Sequence, residues 1–111
     1  MTYQSAYTML NAISPNIPVN YYQWPENEAP ELPYILFYYP TRDDFIADGK
    51  NYAKITQLNI ELYTKNKDFA TEAMVEAKLE EYGLVYTKEE QYINEEHMYE
   101  VLYITNITLE D

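Results

Sequence analysis

Apolar and polar positions in the first third of the chain predict one helix followed by two strands. A helix is predicted from Thr2 up to Pro15, because apolar residues recur every three or four positions and the residue before a proline avoids the α region. The aromatic segment at residues 19–24 lies among prolines and favours an edge strand. Residues 34–39 are apolar throughout, which is typical of a strand buried on both faces, so we expect this strand at the centre of the sheet.

The middle of the chain predicts a long strand followed by a second helix. Apolar and polar residues alternate over residues 52–64, as expected for a strand with one buried face. Asp68 can cap a helix that continues through Tyr82, and Gly83 is placed to end it. Glu72 falls in the first turn, where the helix dipole favours a negative charge. The apolar stripe that we expect this helix to bury contains Phe69, Ala73, Met74, Val75, Ala77, Leu79 and Tyr82.

The last quarter of the chain predicts two strands that complete an α+β domain. A short strand is expected at residues 84–86, and a charged connection at residues 88–96 leads to a last strand at residues 98–109. The element order is then α, β, β, β, α, β, β. This order favours a mixed, mainly antiparallel sheet of four to five strands with both helices packed on one face. A length of 111 residues with 47% hydrophobic content suits a single domain, residues 1–111.

A polar connection at residues 40–51 contains the candidate contact site. The pair Asp48 and Gly49 is suited to a tight turn, and Phe45 and Ile46 are apolar residues in the middle of this polar segment. These two side chains either fold back onto the sheet or contact another protein chain, and the sequence leaves both interpretations open. The candidate contact residues are Asp43, Asp44, Phe45, Ile46, Asp48 and Lys50.

Tyrosine is unusually frequent. The chain has 14 tyrosines beside 3 phenylalanines and 1 tryptophan. Tyrosine has a high strand propensity, which explains many of them as residues of strand faces at the margin of the core. Its large ring and water-tolerant hydroxyl also make it common in protein interfaces. The sequence therefore permits either dispersed strand tyrosines or a contiguous interface patch.

The net charge and the missing cysteines exclude several classes of function. With 7 Lys and Arg against 19 Asp and Glu, the formal net charge is −12. A chain without a basic footprint binds neither nucleic-acid backbones tightly nor anionic membranes. The absence of cysteine excludes disulfides and thiol nucleophiles. The N-terminal segment lacks the features of a secretory signal, and no apolar run approaches the roughly 20 residues of a membrane span, so we expect a soluble chain that stays in the producing cell.

Candidate catalytic and metal-binding residues are few. His97 is the single histidine, and neither a second histidine nor a cysteine can join it in a nucleophile and base pair. A calcium loop starting at Asp44 lacks oxygen ligands at its third and twelfth positions, which are Ile46 and Ile55. We therefore predict that the protein is not an enzyme and uses neither a metal nor a cofactor.

The order and spacing of several segments resemble a known family of phage proteins. The first is the N-terminal helix with the proline-bounded aromatic strand, followed by the Leu-Pro-Tyr-Ile sequence at residues 32–35. Residues 58–64 then precede an alanine- and glutamate-rich helix, and residues 99–103 follow the segment 91–93. Together, over residues 2–109, they resemble the small tail-completion, or tail-terminator, proteins of long-tailed bacteriophages and of the prophages of Gram-positive bacteria.

This resemblance implies a structural role without catalysis. Such proteins form a ring, commonly a hexamer, at the head-facing end of the tail tube, where the ring stops tail polymerisation and docks the tail onto the head connector. The resemblance implies a homo-oligomer made in the bacterial cytoplasm and located in the virion at the head–tail interface. Its partners would be the tail tube protein and the head connector. Residues 43–50 are then the candidate subunit or tail-tube contact.

Two other functions remain open from the sequence. Another head–tail connector or minor structural protein would have a similar small α+β fold, since fold does not determine role. An acidic protein-binding module that mimics DNA would use the same net charge to bind a basic partner. A mimic should be a monomer or dimer, whereas a tail terminator should form a closed ring or join tail tubes.

Overall fold

Two helices and six strands make up the part of the chain that the structure describes. The computed structural model describes residues 1–110. Its elements are, in chain order, α1 (Tyr3–Asn11), β1 (Val19–Tyr21), β2 (Tyr34–Tyr38), β3 (Phe45–Ala47), β4 (Lys50–Thr64), α2 (Phe69–Glu81), β5 (Tyr86–Ile93) and β6 (Met98–Leu109). The α+β class is confirmed. The sequence did not predict β3, and the short strand that it predicted at residues 84–86 shares only Tyr86 with β5.

The sheet is built around the 15-residue strand β4. Its strand order is β1-β2-β4-β6-β5, and β3 pairs with the first residues of β4. β1 and β2 run parallel, and every other strand pair within residues 1–110 is antiparallel, as expected for a mixed, mainly antiparallel sheet. β1 lies at an edge and β2 is buried on both faces, as predicted. The centre of the sheet is β4 instead of β2, because β6 pairs with its other side.

Side-chain caps start both helices where the sequence predicts them. The Thr2 hydroxyl accepts a hydrogen bond from the Ser5 N–H, and the Ser5 hydroxyl accepts one from the Thr2 N–H, both at 2.9 Å. Asp68 accepts hydrogen bonds from the Thr71 hydroxyl at 2.6 Å and from the Thr71 N–H at 3.0 Å, which hold the pKa of Asp68 below its usual value. Gly83 ends α2 with a φ of +69°.

Both helices pack on the same face of the sheet, as predicted. Alternate side chains of β2, β4 and β6 point to this face, where α1 and α2 cover them. The core includes Ala6, Met9, Leu10, Ile35, Phe37, Leu58, Ile60, Leu62, Val75, Leu79, Val101, Tyr103 and Ile107. On the opposite face, the loop before β2 brings Trp24 and Leu32 onto Tyr34, Leu36 and Tyr63. This second cluster is small, so most of the apolar burial lies beneath the helices.

The buried face of α2 is narrower than the apolar stripe that the sequence predicts. Val75 and Leu79 are fully buried, and the buried residue one turn earlier is Glu72. The rest of the predicted stripe is exposed, namely Phe69, Ala73, Met74, Ala77 and Tyr82. The predicted positions surround most of the helix, and a helix that lies on a sheet can turn only one side toward it. The prediction was therefore wrong about these five residues.

The charged stretch after α2 is a strand and not the connection that the sequence predicts. β5 runs from Tyr86 to Ile93 and pairs with β6 along its whole length, whereas Leu84 and Val85 precede it. Backbone pairing with β6 defines this strand, and its charged side chains are tolerated because β5 lies at an edge of the sheet. The last strand has the predicted bounds, Met98–Leu109.

Candidate interaction surface

The predicted polar connection forms a β-hairpin. β3 pairs with the start of β4, and Ala47 lies opposite Lys50, so Asp48 and Gly49 form a two-residue turn. Both turn residues have positive φ angles, +53° and +71°, which is the conformation of a type I′ hairpin turn. The tight turn is confirmed. The strand was missed because three residues carry too little periodicity to reveal pairing with β4.

This β3–β4 hairpin, defined as residues 45–53, projects from one end of the molecule. β6 pairs with β4 only from Lys54 onward, and β2 only from Asn59 onward, so neither of them flanks the hairpin. The 15 residues of β4 span roughly 50 Å when extended. That length matches the longest dimension of the chain, which measures 50 × 30 × 23 Å. The hairpin therefore forms an arm with solvent around it.

The apolar side chains of the hairpin face solvent. Phe45, Ile46 and Tyr52 are 57%, 67% and 78% exposed. The Phe45 and Tyr52 rings touch edge to face with centroids 6.3 Å apart. The two side chains that the sequence allowed to fold back onto the sheet do not do so. Three large apolar side chains on one projecting arm form a small exposed patch, which is typical of a contact surface.

Asp44 holds the base of the hairpin in place. Its carboxylate accepts hydrogen bonds from Arg42 Nε at 2.8 Å, Arg42 Nη2 at 2.6 Å, Asn51 Nδ2 at 2.8 Å and the Ile55 N–H at 3.1 Å. The Arg42 guanidinium and the Asn51 amide hold the pKa of Asp44 well below its usual range. Asp44 was predicted as a contact residue, but its carboxylate oxygens accept hydrogen bonds from groups of the same chain.

The other predicted contact residues lie at the surface of the hairpin and its base. Asp43 uses its backbone N–H to reach the Ile55 carbonyl at 2.8 Å and leaves its side chain exposed. Asp48 and Lys50 are exposed at the turn. The structure therefore brings together, on one arm, two charged turn residues of opposite sign and the exposed apolar side chains.

A second exposed surface lies at the β1 edge and consists of aromatic rings. We call it the tyrosine patch, and it comprises Tyr3, Tyr7, Tyr21 and the partly buried Tyr39 around the ring of Phe37, which is itself buried in the core. Ring contacts with centroid distances from 4.8 to 6.1 Å connect all five. Tyr3, Tyr7 and Tyr21 are 41% to 50% exposed. Some tyrosines are thus contiguous, while others, such as Tyr103, are buried in the core.

Charge is absent from the segments that form the tyrosine patch. Residues 1–24 contain no charged side chain, and neither do residues 32–41. These two segments include all of α1, β1 and β2. The β3–β4 hairpin is also neutral in sum, since Asp48 and Lys50 are its two charged residues. These charge-free segments are visible in the sequence, but neither hydrophobic periodicity nor a motif marks them as a surface.

The acidic side chains concentrate on α2, β5 and the turns beside them. The buried carboxylate of Glu72 forms ion pairs with Lys67 and, at 2.8 Å, with Lys88. Lys88 also lies 2.9 Å from Glu76, and its hydrogen bonds to these two carboxylates raise its pKa. Lys67 reaches Glu90 on β5 as well. The lysines on this side are held by carboxylates, and the acidic groups outnumber them.

The sheet also brings together two glutamates that are far apart in the sequence. Glu61 on β4 and Glu100 on β6 share the face opposite the helices, where Glu100 accepts hydrogen bonds from Tyr63 at 2.8 Å and Gln91 at 2.6 Å. Burial, and then the hydrogen bond to Glu100, raise the pKa of Glu61 to about 7. Burial also raises the pKa of Glu100, but hydrogen bonds from Glu61, Gln91 and Tyr63 outweigh it and lower the net value. The pair therefore shares one proton near neutral pH.

His97 occupies the turn between β5 and β6. It is exposed, and its backbone adopts a φ of +52°. Within residues 1–110, no group of three or more potential metal-ligating side chains comes together. Neither helix of the described chain has the length and apolar character needed to cross a membrane.

Comparison with known proteins gives no assignment. The chain matches no protein-family model and no curated protein sequence. The function must therefore be argued from the hairpin, the tyrosine patch and the distribution of charge.

Proposed function

We propose that this protein is a structural subunit that assembles into a ring, caps the tail tube of a long-tailed phage and joins the tail to the head connector. Its place would be the head–tail interface of the virion. The observation that carries this proposal is the β3–β4 hairpin, a projecting arm whose large apolar side chains are exposed to solvent instead of packed on the sheet. A projecting arm suits a subunit that must hold neighbours or a tube end.

The segments that carry the resemblance to tail-terminator proteins fall on regular elements. The Leu-Pro-Tyr-Ile sequence opens β2, residues 58–64 form the second half of β4 immediately before α2, and residues 99–103 lie in β6. A resemblance that follows the boundaries of helices and strands is more consistent with a shared fold than one that is scattered over loops. This agreement supports the proposal without adding a sequence match.

The net charge also suits a ring around passing DNA. Six copies at −12 each carry −72 in total, so phosphate is repelled by the ring and DNA does not adhere to it. The same charge makes the subunits repel one another. Assembly must therefore use apolar contacts and should strengthen with salt, which screens the repulsion.

One observation favours a second function, that of an acidic module that binds a basic protein. Acidic groups of α2 and β5 lie close to one another, since Lys67 reaches both Glu72 and Glu90 and Lys88 on β5 reaches Glu76. A DNA mimic would present such a surface to a nucleic-acid-binding enzyme. It would remain a monomer or dimer at all salt concentrations and would bind its partner more weakly as salt increases.

Light scattering of the purified protein across protein and salt concentration tests the proposal directly. We expect the mass to rise toward a closed ring as salt increases, with ring-shaped particles in negative-stain images. If the free protein stays monomeric, it should still cap purified tail tubes and stop their elongation. A monomer that neither forms rings nor caps tubes would contradict the proposal, and binding of basic proteins by that monomer would favour the acidic module.

A further inference from the structure

We propose that the tyrosine patch is the receptor for the β3–β4 hairpin of a second copy of this chain. The inference rests on the proposed function and names the contact through which the ring would close. A one-way contact between two different surfaces of the same chain is heterologous, and heterologous contacts generate rings when the rotation between copies closes. One-way docking of the hairpin on the patch therefore builds a ring, whereas reciprocal docking between two copies would build a two-fold dimer, which the mass in light scattering distinguishes.

Electrostatics limits where a second copy can approach. Every charged side chain of the chain lies outside residues 1–24 and 32–41, and the net charge is −12. An approach through α2 and β5 would place two acidic surfaces against each other, which costs free energy. The patch has no charged residue of its own, and the Arg42 guanidinium that lies beside Tyr3 is paired with Asp44. An approach of the neutral hairpin to the patch therefore brings the fewest like charges together. The two surfaces are complementary because both lack net charge within a strongly acidic molecule.

The chemistry of the two surfaces also matches. The hairpin offers Phe45, Ile46 and Tyr52. The patch offers the half-exposed rings of Tyr3 and Tyr21, which lie edge to face on the rings of Tyr39 and Phe37 beneath them. Aromatic and aliphatic side chains packed against tyrosine rings are the usual centre of a protein interface. Burying both surfaces in one contact removes two groups of neutral apolar and aromatic side chains from water together.

One hydroxyl group in the patch lacks a partner. The Tyr39 hydroxyl is buried and has no hydrogen-bond partner among residues 1–110. Burial and the neighbouring tyrosines raise the pKa of Tyr39 to about 12, so the hydroxyl remains a donor near neutral pH. The rings of Tyr3 and Tyr21 pack against the Tyr39 ring. If these rings turn aside when the hairpin docks, the hydroxyl gains an acceptor in a carbonyl group on the free edge of β3.

Disulfide mapping tests this contact, because the chain has no cysteine of its own. Isotope-labelled Ile46→Cys chains are mixed with unlabelled Tyr7→Cys chains under assembly conditions or on tail tubes and then oxidised, and mass spectrometry identifies the linked peptides. Both positions are exposed, so the variants should fold, and circular dichroism with thermal melting checks this. The matched control pairs labelled Ile46→Cys with Glu81→Cys, an exposed position on the acidic side.

We expect the peptide linking positions 46 and 7 to be at least about ten times more abundant than the peptide linking positions 46 and 81, because the contact raises the effective concentration of the first pair. Links between two Ile46→Cys chains, or an excess of the control link, would overturn the inference. If rings or capped tubes form with such links, the proposed function stands and only the receptor is wrong. If no assembly forms in solution or on tubes, the proposed function and the inference both fail.

Discussion

The two edges of the sheet meet solvent in opposite ways. The β5 edge is eight residues long and carries Lys88, Glu89 and Glu90, whereas the β1 edge is three residues long and lies beside the tyrosine patch. Charge along an edge strand opposes pairing with other chains. The molecule has too few positive charges to attract a second copy. A second copy therefore meets the least repulsion on the side that lacks charged residues.

The two halves also differ in what stabilises them. The half formed by α1, β1 and β2 depends on ring contacts and apolar burial, with Phe37 and Tyr39 at the centre of the tyrosine patch. The half formed by α2, β5, β6 and the neighbouring strand β4 depends in addition on ion pairs around Glu72 and on the coupled carboxyl groups of Glu61 and Glu100. Substituting charged residues or changing the pH should therefore alter the stability of the second half. The same changes should leave the first half unaffected.

The largest expected effect comes from leaving Glu72 without its cations. Replacing Lys67→Met and Lys88→Met together should lower the free energy of unfolding by about 3 kcal/mol, because a buried carboxylate then has no counterion. Urea denaturation measures the change. Adding Glu72→Gln to the double variant should restore most of the loss. If the free energy of unfolding fell by less than about 1 kcal/mol, the ion pairs would contribute little to the stability of this half.

The second effect is a dependence of stability on pH. The pKa of Glu61 is raised from 4.5 to about 7, so this group stabilises the fold below pH 4.5 and loses that contribution as the pH rises through 7. Because Glu61 is only half-buried, we expect the free energy of unfolding to fall by about 1 to 2 kcal/mol between pH 5 and pH 8.

The lowered pKa of Glu100 acts in the opposite direction, and its contribution is lost as the pH falls below its usual value. It therefore does not change the sign of the slope between pH 5 and pH 8. Denaturation at several pH values, with Glu61→Gln as the comparison, checks the prediction. The slope in this range should be flatter in the variant, and an unchanged slope would contradict the role of Glu61.

A smaller effect is expected when one exposed tyrosine at each edge of the sheet is replaced. Tyr21 on β1 and Tyr92 on β5 are each about half-exposed, and Tyr21 touches two other rings where Tyr92 touches one. Tyr92→Ala should lower the free energy of unfolding by about 1 kcal/mol, and Tyr21→Ala by somewhat more, because it loses one more ring contact. Only Tyr21→Ala should reduce assembly in light scattering. Equal loss of assembly in both variants would show that the β1 edge has no special role.

The smallest effect on stability is expected in the hairpin. Phe45→Ser with Ile46→Ser should change the free energy of unfolding by no more than about 0.5 kcal/mol, because both side chains are exposed, yet it should abolish assembly and tube capping. Val85→Ser is the matched control, because Val85 is exposed in the acidic half and should affect neither property. Unchanged assembly at an unchanged melting temperature in the double variant would refute the hairpin contact.

Local signals explain why much of the fold could be predicted. The helix starts at Thr2 and Asp68 depend on hydrogen bonds to residues three positions away, and Gly83 ends α2 because it adopts a positive φ. The bounds of β6 were also predicted correctly, since a long alternation of apolar and polar residues is a strong signal. In the candidate site, the turn at Asp48 and Gly49 was predicted for the same local reason.

Features that depend on pairing over distance could not be predicted. β3 exists because β4 extends beyond its other neighbours, and β5 is a strand because β6 pairs with it despite its charges. The orientation of α2, with Glu72 buried, depends on lysines from a loop and from β5. The exposure of Phe45 and Ile46 likewise required the position of the hairpin relative to the sheet.

By itself, the sequence determined the α+β class, the caps of both helices, most strand positions, the net charge and the lack of charged side chains in residues 1–24 and 32–41. Only the tertiary structure decided that these neutral segments form one edge, that the rings from Tyr3 to Tyr39 touch, and that Glu61 meets Glu100. The reason is the distance along the chain between the residues that interact. Caps and periodicity act over three or four residues, whereas surfaces and shared protons arise from strand order and register, which join residues tens of positions apart.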